Sequence, residues 1–163
     1  DNVIKNGVVF TDAILLNVDM DEFVEQQYSR KEFHKSQEIL ETLTLKDSPT
    51  ARVDLNVNFA FDSDKLTASG KKQVAEIAAA LKAPSLQTSR FLIEGHTDST
   101  GNDTYNIDLS TRRALTVANI LQNEYGVKVD LITKGYGETR PVTTNQTEAG
   151  QALNRRVSLI RLQ

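Results

Sequence analysis

The residues best placed to do chemistry lie in Phe91-Leu-Ile-Glu-Gly-His-Thr-Asp98 and the stretch that follows it, up to Arg113. An acid, Asp98, sits just past an apolar run that reads as a strand. Next comes a polar, glycine-containing loop and then a helix carrying Asn106 and Arg113. Those two residues are seven apart, so on a helix they share a face. A carboxylate and a guanidinium facing one cleft suit a ligand that carries both an amine and a carboxylate. The expectation is binding of such a zwitterion rather than chemistry on it.

Other chemistries are weaker. His96 and Asp98 are types that ligate metals or form catalytic pairs. The chain has two histidines, His34 and His96, and no cysteine, so a ligand set with metal-binding spacing is missing. Ser99 neighbours the pair, but no nucleophile-elbow pattern surrounds it. His96 is therefore expected to be a loop imidazole hydrogen-bonded to nearby backbone. Arg112, about 100° around the helix from Arg113, reads as a solvated surface charge.

Positioning elements can be read around these residues. Val53, Leu55, Val57, Phe59 and Phe61 alternate with Asp54, Asn56, Asn58 and Ala60, the period of a half-buried strand. Asp62 then stands at the same kind of strand-to-helix junction as Asp98. Thr67–Leu81 reads as a helix with Val74, Ile77, Ala78 and Leu81 on its inner face, Thr67 or Ser69 as cap, and Pro84 beyond its end. The second helix is expected over Asn106–Glu124, with Ile107, Ala114, Val117, Ala118 and Leu121 inward and Gly126 as its stop. Strands follow at Val127–Thr133 and Val157–Leu162, with a short helical turn over Glu148–Leu153. Adjacent Arg155 and Arg156 enter the last strand, where one points to each side. The order β-α-β-α-β-loop-β is an α/β layer, with ligands expected at the carboxyl ends of its parallel strands. The last two strands are close enough in sequence to be antiparallel.

The first 50 residues differ in character. They hold ten acids and five bases, net −5, whereas residues 51–163 carry +2 of the chain's total of −3. This shift at Asp47-Ser-Pro-Thr50 supports a boundary between an N-terminal extension or linker (1–50) and a domain (51–163). The extension has apolar runs at Val8–Phe10 and Ala13–Leu16 and a loosely amphipathic stretch over 21–45 with Asp21 as possible cap, but no motif. A charge of +2 is too small for a nucleic-acid footprint, so none is expected as partner. No apolar run approaches the roughly 18 residues of a membrane helix, and the chain as given opens with Asp1 and has no basic-then-apolar start. The sequence is compatible with a cytosolic protein, a processed mature chain or a fragment.

Over residues 53–162 the pieces Phe59-Ala-Phe-Asp-Ser63, Gly95-His-Thr-Asp98, Gly101, Asn106, Leu109-Ser110, Arg113-Ala114, Gly135-Tyr-Gly-Glu138, Pro141, Asn145 and Asn154-Arg-Arg-Val157 occur together. In order and spacing they resemble the OmpA-like peptidoglycan-binding domain family, of the OmpA/Pal/MotB type. The resemblance implies a β-α-β-α-β-β (α+β) fold with a mixed four-stranded sheet of order 1-4-2-3, the fourth strand antiparallel to the others. It implies a ligand, the meso-diaminopimelate of the peptidoglycan stem peptide, and no cofactor, no metal and no catalysis. Carried over, Asp98 holds the ligand's ammonium and Arg113 its carboxylate. Asn106 adds polar contacts, Asp62 and Thr100 line the pocket, and Arg155 approaches from the last strand.

The implied role is a cell-wall tether in the Gram-negative periplasm, attached to the outer membrane through an anchor not visible in the chain or through an envelope protein partner. Two alternatives stand beside it. One makes residues 1–50 a protein-docking segment that carries the specific role. The other is a hydrolase of wall peptides using His96 and Asp98.

Overall fold

A computed structural model describes residues 4–5, 8–9, 36–44 and 51–162. Near the N-terminus, β1 (Ile4–Lys5) and β2 (Val8–Val9) pair antiparallel. Helix α1 spans Ser36–Leu43. The readings at Phe10, Ala13–Leu16, Asp21 and His34 lie outside the described residues. The main body follows: β3 (Arg52–Leu55), α2 (Ala68–Leu81), β4 (Arg90–His96), α3 (Asp103–Asn123), β5 (Asp130–Gly135), α4 (Glu148–Asn154) and β6 (Arg156–Leu162). The sheet order is β3-β6-β4-β5, which is the expected 1-4-2-3. β6 runs antiparallel to both β3 and β4, and β4 runs parallel to β5.

The period-two and period-3.6 patterns place one face of the sheet and one face of each helix in a common core. Val53, Leu55, Phe91, Ile93, Val157 and Leu159 meet Val74, Ile77, Leu81, Val117 and Leu121 there. Each fully buried side chain of this size contributes about 1.5–3 kcal/mol relative to exposure. Ile39 and Leu43 of α1 belong to the same core. The inner face of α2 is the one expected. Thr67 caps it by accepting from the Gly70 amide, and Pro84 opens a short 3-10 turn beyond its end. The inner face of α3 loses Ile107 from the expected set and gains Asn106, Leu109 and Ser110. Ile107 is 39% exposed, and the buried stripe runs through Asn106, Leu109, Ser110, Ala114, Val117, Ala118 and Leu121.

The expected nine-residue first strand is cut to four. β6 begins at Arg156, and its last ladder partner on β3 is Leu55 (with Val157), so residues 56–61 have no strand beside them. Three of their backbone groups are satisfied by Gln73 of α2 and by Thr67 at its cap. Gln73 donates from Nε2 to the Asn56 carbonyl (2.9 Å) and accepts from the Asn58 amide at Oε1 (2.9 Å). The Asn58 carbonyl accepts from the Thr67 amide. One buried amide side chain thus replaces a neighbouring strand. The third strand is likewise displaced, to Asp130–Gly135. It is fixed by a parallel register that sets Gly95 opposite Gly135. A Cβ on Gly95 would run into the Ser110 carbonyl, and one on Gly135 into Thr111. This glycine pair lets α3 lie close on the carboxyl ends of β4 and β5, which fixes where Asn106 and Arg113 stand.

Candidate functional site

At the carboxyl end of β4 the chain leaves the sheet through Thr97-Asp98 and turns into α3. The sequence reading starts that helix at Asn106. The structure starts it at Asp103, because Asn102 caps it by accepting the Tyr105 amide at 2.7 Å. The N-cap type and the following acid were the signal for this start. The extra turn brings Tyr105 to the loop, a residue the sequence reading missed.

All six residues singled out from the sequence line one open cleft of about 720 Å3: Asp62, Asp98, Thr100, Asn106, Arg113 and Arg155. Phe59, Phe61, Tyr105, Leu109, Glu148 and Gln151 complete much of its wall. A smaller polar chamber of about 210 Å3 adjoins it and shares Arg113 and Arg155.

Asp98 is buried and each of its carboxylate oxygens accepts a hydrogen bond. Oδ1 accepts the Thr100 amide at 2.8 Å, and Oδ2 accepts Nη1 of Arg155 at 2.7 Å. Burial alone would raise its pKa. The Arg155 ion pair and the Thr100 amide outweigh burial and hold the carboxyl below its ordinary value of 3.8. Arg155 also reaches Glu148 Oε1 with Nη2 at 3.1 Å. Its burial acts to lower its pKa, and the two carboxylates raise it on balance. The next residue, Arg156, points the other way, donating to the carbonyls of Asn154 and Arg140.

Arg113 is positioned differently. Its Nε donates to the Ser63 carbonyl at 2.9 Å, and its guanidinium lies 5.0 Å over the Phe59 ring. Burial depresses its pKa, so the charge is partly desolvated. Among the described residues no carboxylate pairs with it, and its two terminal nitrogens make no hydrogen bond. A held, half-buried guanidinium with a free fork is a receptor for a planar anion. Arg112, as expected, is a surface charge, paired with Asp108 and Asp64.

Asn106 is 2% exposed and braces the loop. Its Nδ2 donates to the Thr100 carbonyl at 3.0 Å and reaches the Asp98 carbonyl and Glu138 at longer range. Its donors are therefore spent on the loop that carries Asp98 and Thr100. Asp62 sits in the left-handed region at φ 50 and accepts a hydrogen bond from the Tyr105 hydroxyl.

His96 departs from expectation. It is the last residue of β4 rather than a loop residue, and its side chain bonds a carboxylate rather than backbone. Nε2 lies 3.2 Å from Glu94 Oε1, and the ring stacks on Tyr136 with centroids 5.5 Å apart. The reason is strand parity, which sends Glu94 and His96 to the same side of the sheet. Burial depresses the His96 pKa more than Glu94 raises it. Arg52 and Arg140 lie on the same Glu94 carboxylate, at 2.9 and 3.7 Å. Among the described residues no group of three metal-ligating side chains occurs.

Comparison with known proteins agrees with this fold. The model of the OmpA family matches residues 58–155, more than half of the chain. The outer membrane porin F of Pseudomonas aeruginosa is 46% identical over 108 residues, which are 65% of this chain and 30% of that protein. The peptidoglycan-associated lipoprotein of Legionella pneumophila is 37% identical over 102 residues, 63% of this chain and 57% of that one. The solved structure of the cell wall anchor of the T6SS from Pseudomonas aeruginosa superposes with a TM-score of 0.61 at 26% identity, covering 77% of this chain and 91% of that one. The chain thus spans about a third of porin F and little more than half of the lipoprotein.

Proposed function

The chain belongs to the OmpA family, and we propose that it binds peptidoglycan, without doing chemistry on it, through the meso-diaminopimelate of the stem peptide. Diaminopimelate ends its side chain in an amino-acid head, so an ammonium and a carboxylate stand side by side. In this reading Arg113 takes the carboxylate and Asp98 the ammonium, while Asp62, Thr100, Asn106 and Arg155 shape the cleft between them. The observation that carries the reading is Arg113: a half-buried guanidinium with no carboxylate partner among the described residues, facing the same cleft as a carboxylate.

The magnitudes suit a tether. Each charge-assisted hydrogen bond contributes about 1.5–3 kcal/mol, and association costs take back much of the sum. Modest affinity per stem becomes firm attachment when many copies meet a polymer. Two similar proteins carry names that fit, a peptidoglycan-associated lipoprotein and a cell wall anchor. Residues 51–163 then form the wall-binding domain, residues 1–50 an extension toward a membrane anchor or envelope partner, and the setting is the Gram-negative periplasm at the outer membrane. No helix among the described residues is long and apolar enough to cross a membrane. His96 is buried, with its ring against Glu94 and Tyr136, which speaks against the hydrolase reading.

The test is co-sedimentation with purified sacculi of the wild type, Asp98→Ala and Arg113→Ala. Both variants are expected to stay in the supernatant with an unchanged circular dichroism spectrum. Unchanged pelleting of both overturns the site. Release of soluble muropeptides by the wild type would establish the hydrolase reading in its place. Sacculi with lysine in the stem should bind more weakly, since lysine lacks the second carboxylate.

A further inference from the structure

Phe61 is 99% exposed although it continues the apolar parity of Val57 and Phe59. A bare aromatic ring on a surface gains by leaving water and calls for an explanation. It does not stand on a loose tip. The Ala60 amide donates to the Lys65 carbonyl at 2.8 Å, and Phe59 bridges Leu66, so the turn is closed at its base. Asp62 adopts its left-handed conformation with its carboxylate held by the Tyr105 hydroxyl. The Ser63 carbonyl accepts Nε of Arg113. The turn that presents Phe61 is thus fastened to α3 at two points, one of them the guanidinium of the clamp.

We propose that Phe61 is a specificity-determining residue that reads the ligand beyond its zwitterionic head, docking the methyl- and methylene-bearing peptide next to it. The inference rests on the wall-binding reading above. A cleft of about 720 Å3 is of the size that encloses a drug-sized ligand, more than one amino-acid head fills. Apolar residues run from Phe59, whose ring lies 5.0 Å from the Arg113 guanidinium, along the chain to Ala60 and Phe61, and all of them line this cleft. An occupant that follows this track from Arg113 is the segment covalently next to the head. That is peptide, whereas the sugars of the wall stand further along the stem. Phe61 therefore separates a diaminopimelate embedded in a peptide from the free amino acid.

The test measures binding of three probes by the wild type, Phe61→Ala and Phe61→Leu: free meso-diaminopimelate, a soluble stem tetrapeptide containing it, and sacculi. Phe61→Ala is expected to lose far less on the free amino acid than on the tetrapeptide. It should bind the tetrapeptide about three- to tenfold more weakly, the range of a lost aromatic contact. Phe61→Leu should recover part of the loss, and neither variant should change the melting temperature, since the ring is in water. An equal loss on all three probes, loss on sacculi alone, or no loss overturns the inference: the ring would then shape the head site, meet sugar, or touch nothing. If the wild type binds the amino acid and the peptide but Phe61→Ala matches it throughout, the wall-binding reading survives without this inference. If the wild type binds none of the three, both fall.

Discussion

Asp98 and Arg155 form a 2.7 Å ion pair across the cleft, while Arg113, on the same cleft, has no carboxylate partner among the described residues. The site is therefore asymmetric. Its arginine end has no carboxylate partner among the described residues, and its acid is already organised by an arginine of the same chain. Glu148, 3.1 Å from the other end of that arginine, is the second carboxylate that holds it. An ammonium approaching Asp98 meets a carboxylate fixed in place by Arg155 and by the Thr100 amide.

This pair sets the pH limit of binding. The folded pKa of Asp98 lies below 3.8, so the carboxylate remains charged at and somewhat below that pH. Its contribution to stability is complete above 3.8 and is lost as pH falls through the depressed folded value. Arg155 is a main source of the depression. Arg155→Ala is expected to move the loss of sacculus binding to higher pH and to weaken binding at neutral pH. A pH series of co-sedimentation checks this, with the Asp98 carboxyl resonance as an independent readout. An unshifted profile would show that Arg155 does not tune the acid.

Arg113→Lys tests whether the fork matters or only the charge. Lysine keeps a cation but loses the planar pair of terminal nitrogens, the Nε bond to the Ser63 carbonyl and the packing over Phe59. A loss of about tenfold or more in affinity for diaminopimelate is expected, as for one charge-assisted hydrogen bond removed. The melting temperature should change little, because desolvation already penalises this charge. Wild-type affinity in the lysine variant would remove the bidentate role.

The grouping of Asp98, Asn106 and Arg113 at one cleft was legible in the sequence because its parts are local: an acid at a strand end, then Asn106 and Arg113 at helical spacing. The partners that hold it were not. Glu148 and Ser63 reach Arg155 and Arg113 from other elements, and no spacing rule connects them. The bonds of Asn106 to its own loop were not legible either, since they depend on how the Asp98–Thr100 backbone turns back over the helix start. The alternation through Phe61 overstated the first strand for a related reason. Periodicity reports which faces are apolar, whereas strand length depends on a partner that begins only at Arg156. The same parity that buries Val57 leaves Phe61 bare once the ladder ends.

Gln73 replaces that missing ladder, so it is expected to be the most sensitive polar residue on α2. Gln73→Leu strands the buried Asn56 carbonyl and the Asn58 amide, at about 1–3 kcal/mol for each unsatisfied group. Denaturant unfolding should show a loss of about 2–6 kcal/mol on that basis. The Phe59–Leu66 turn should also exchange its amide hydrogens faster. A loss under about 0.5 kcal/mol, the ordinary range for a surface substitution, would mean that water takes over both groups and that Gln73 does not organise the site.

His96 gives the opposite pH signature from Asp98, and it separates a structural imidazole from a working one. Its folded pKa lies below the ordinary 6.5, because burial opposes the charge more than Glu94 favours it. As pH falls below 6.5 the unfolded chain takes up a proton that the folded chain refuses, so stability should decline through that window. His96→Gln can still donate to Glu94 but cannot titrate. It is expected to remove most of the decline between pH 7 and 5 while leaving sacculus binding at neutral pH intact. Melting curves across that range check the first expectation and co-sedimentation the second. A variant that keeps its fold but loses binding would bring His96 back into the site.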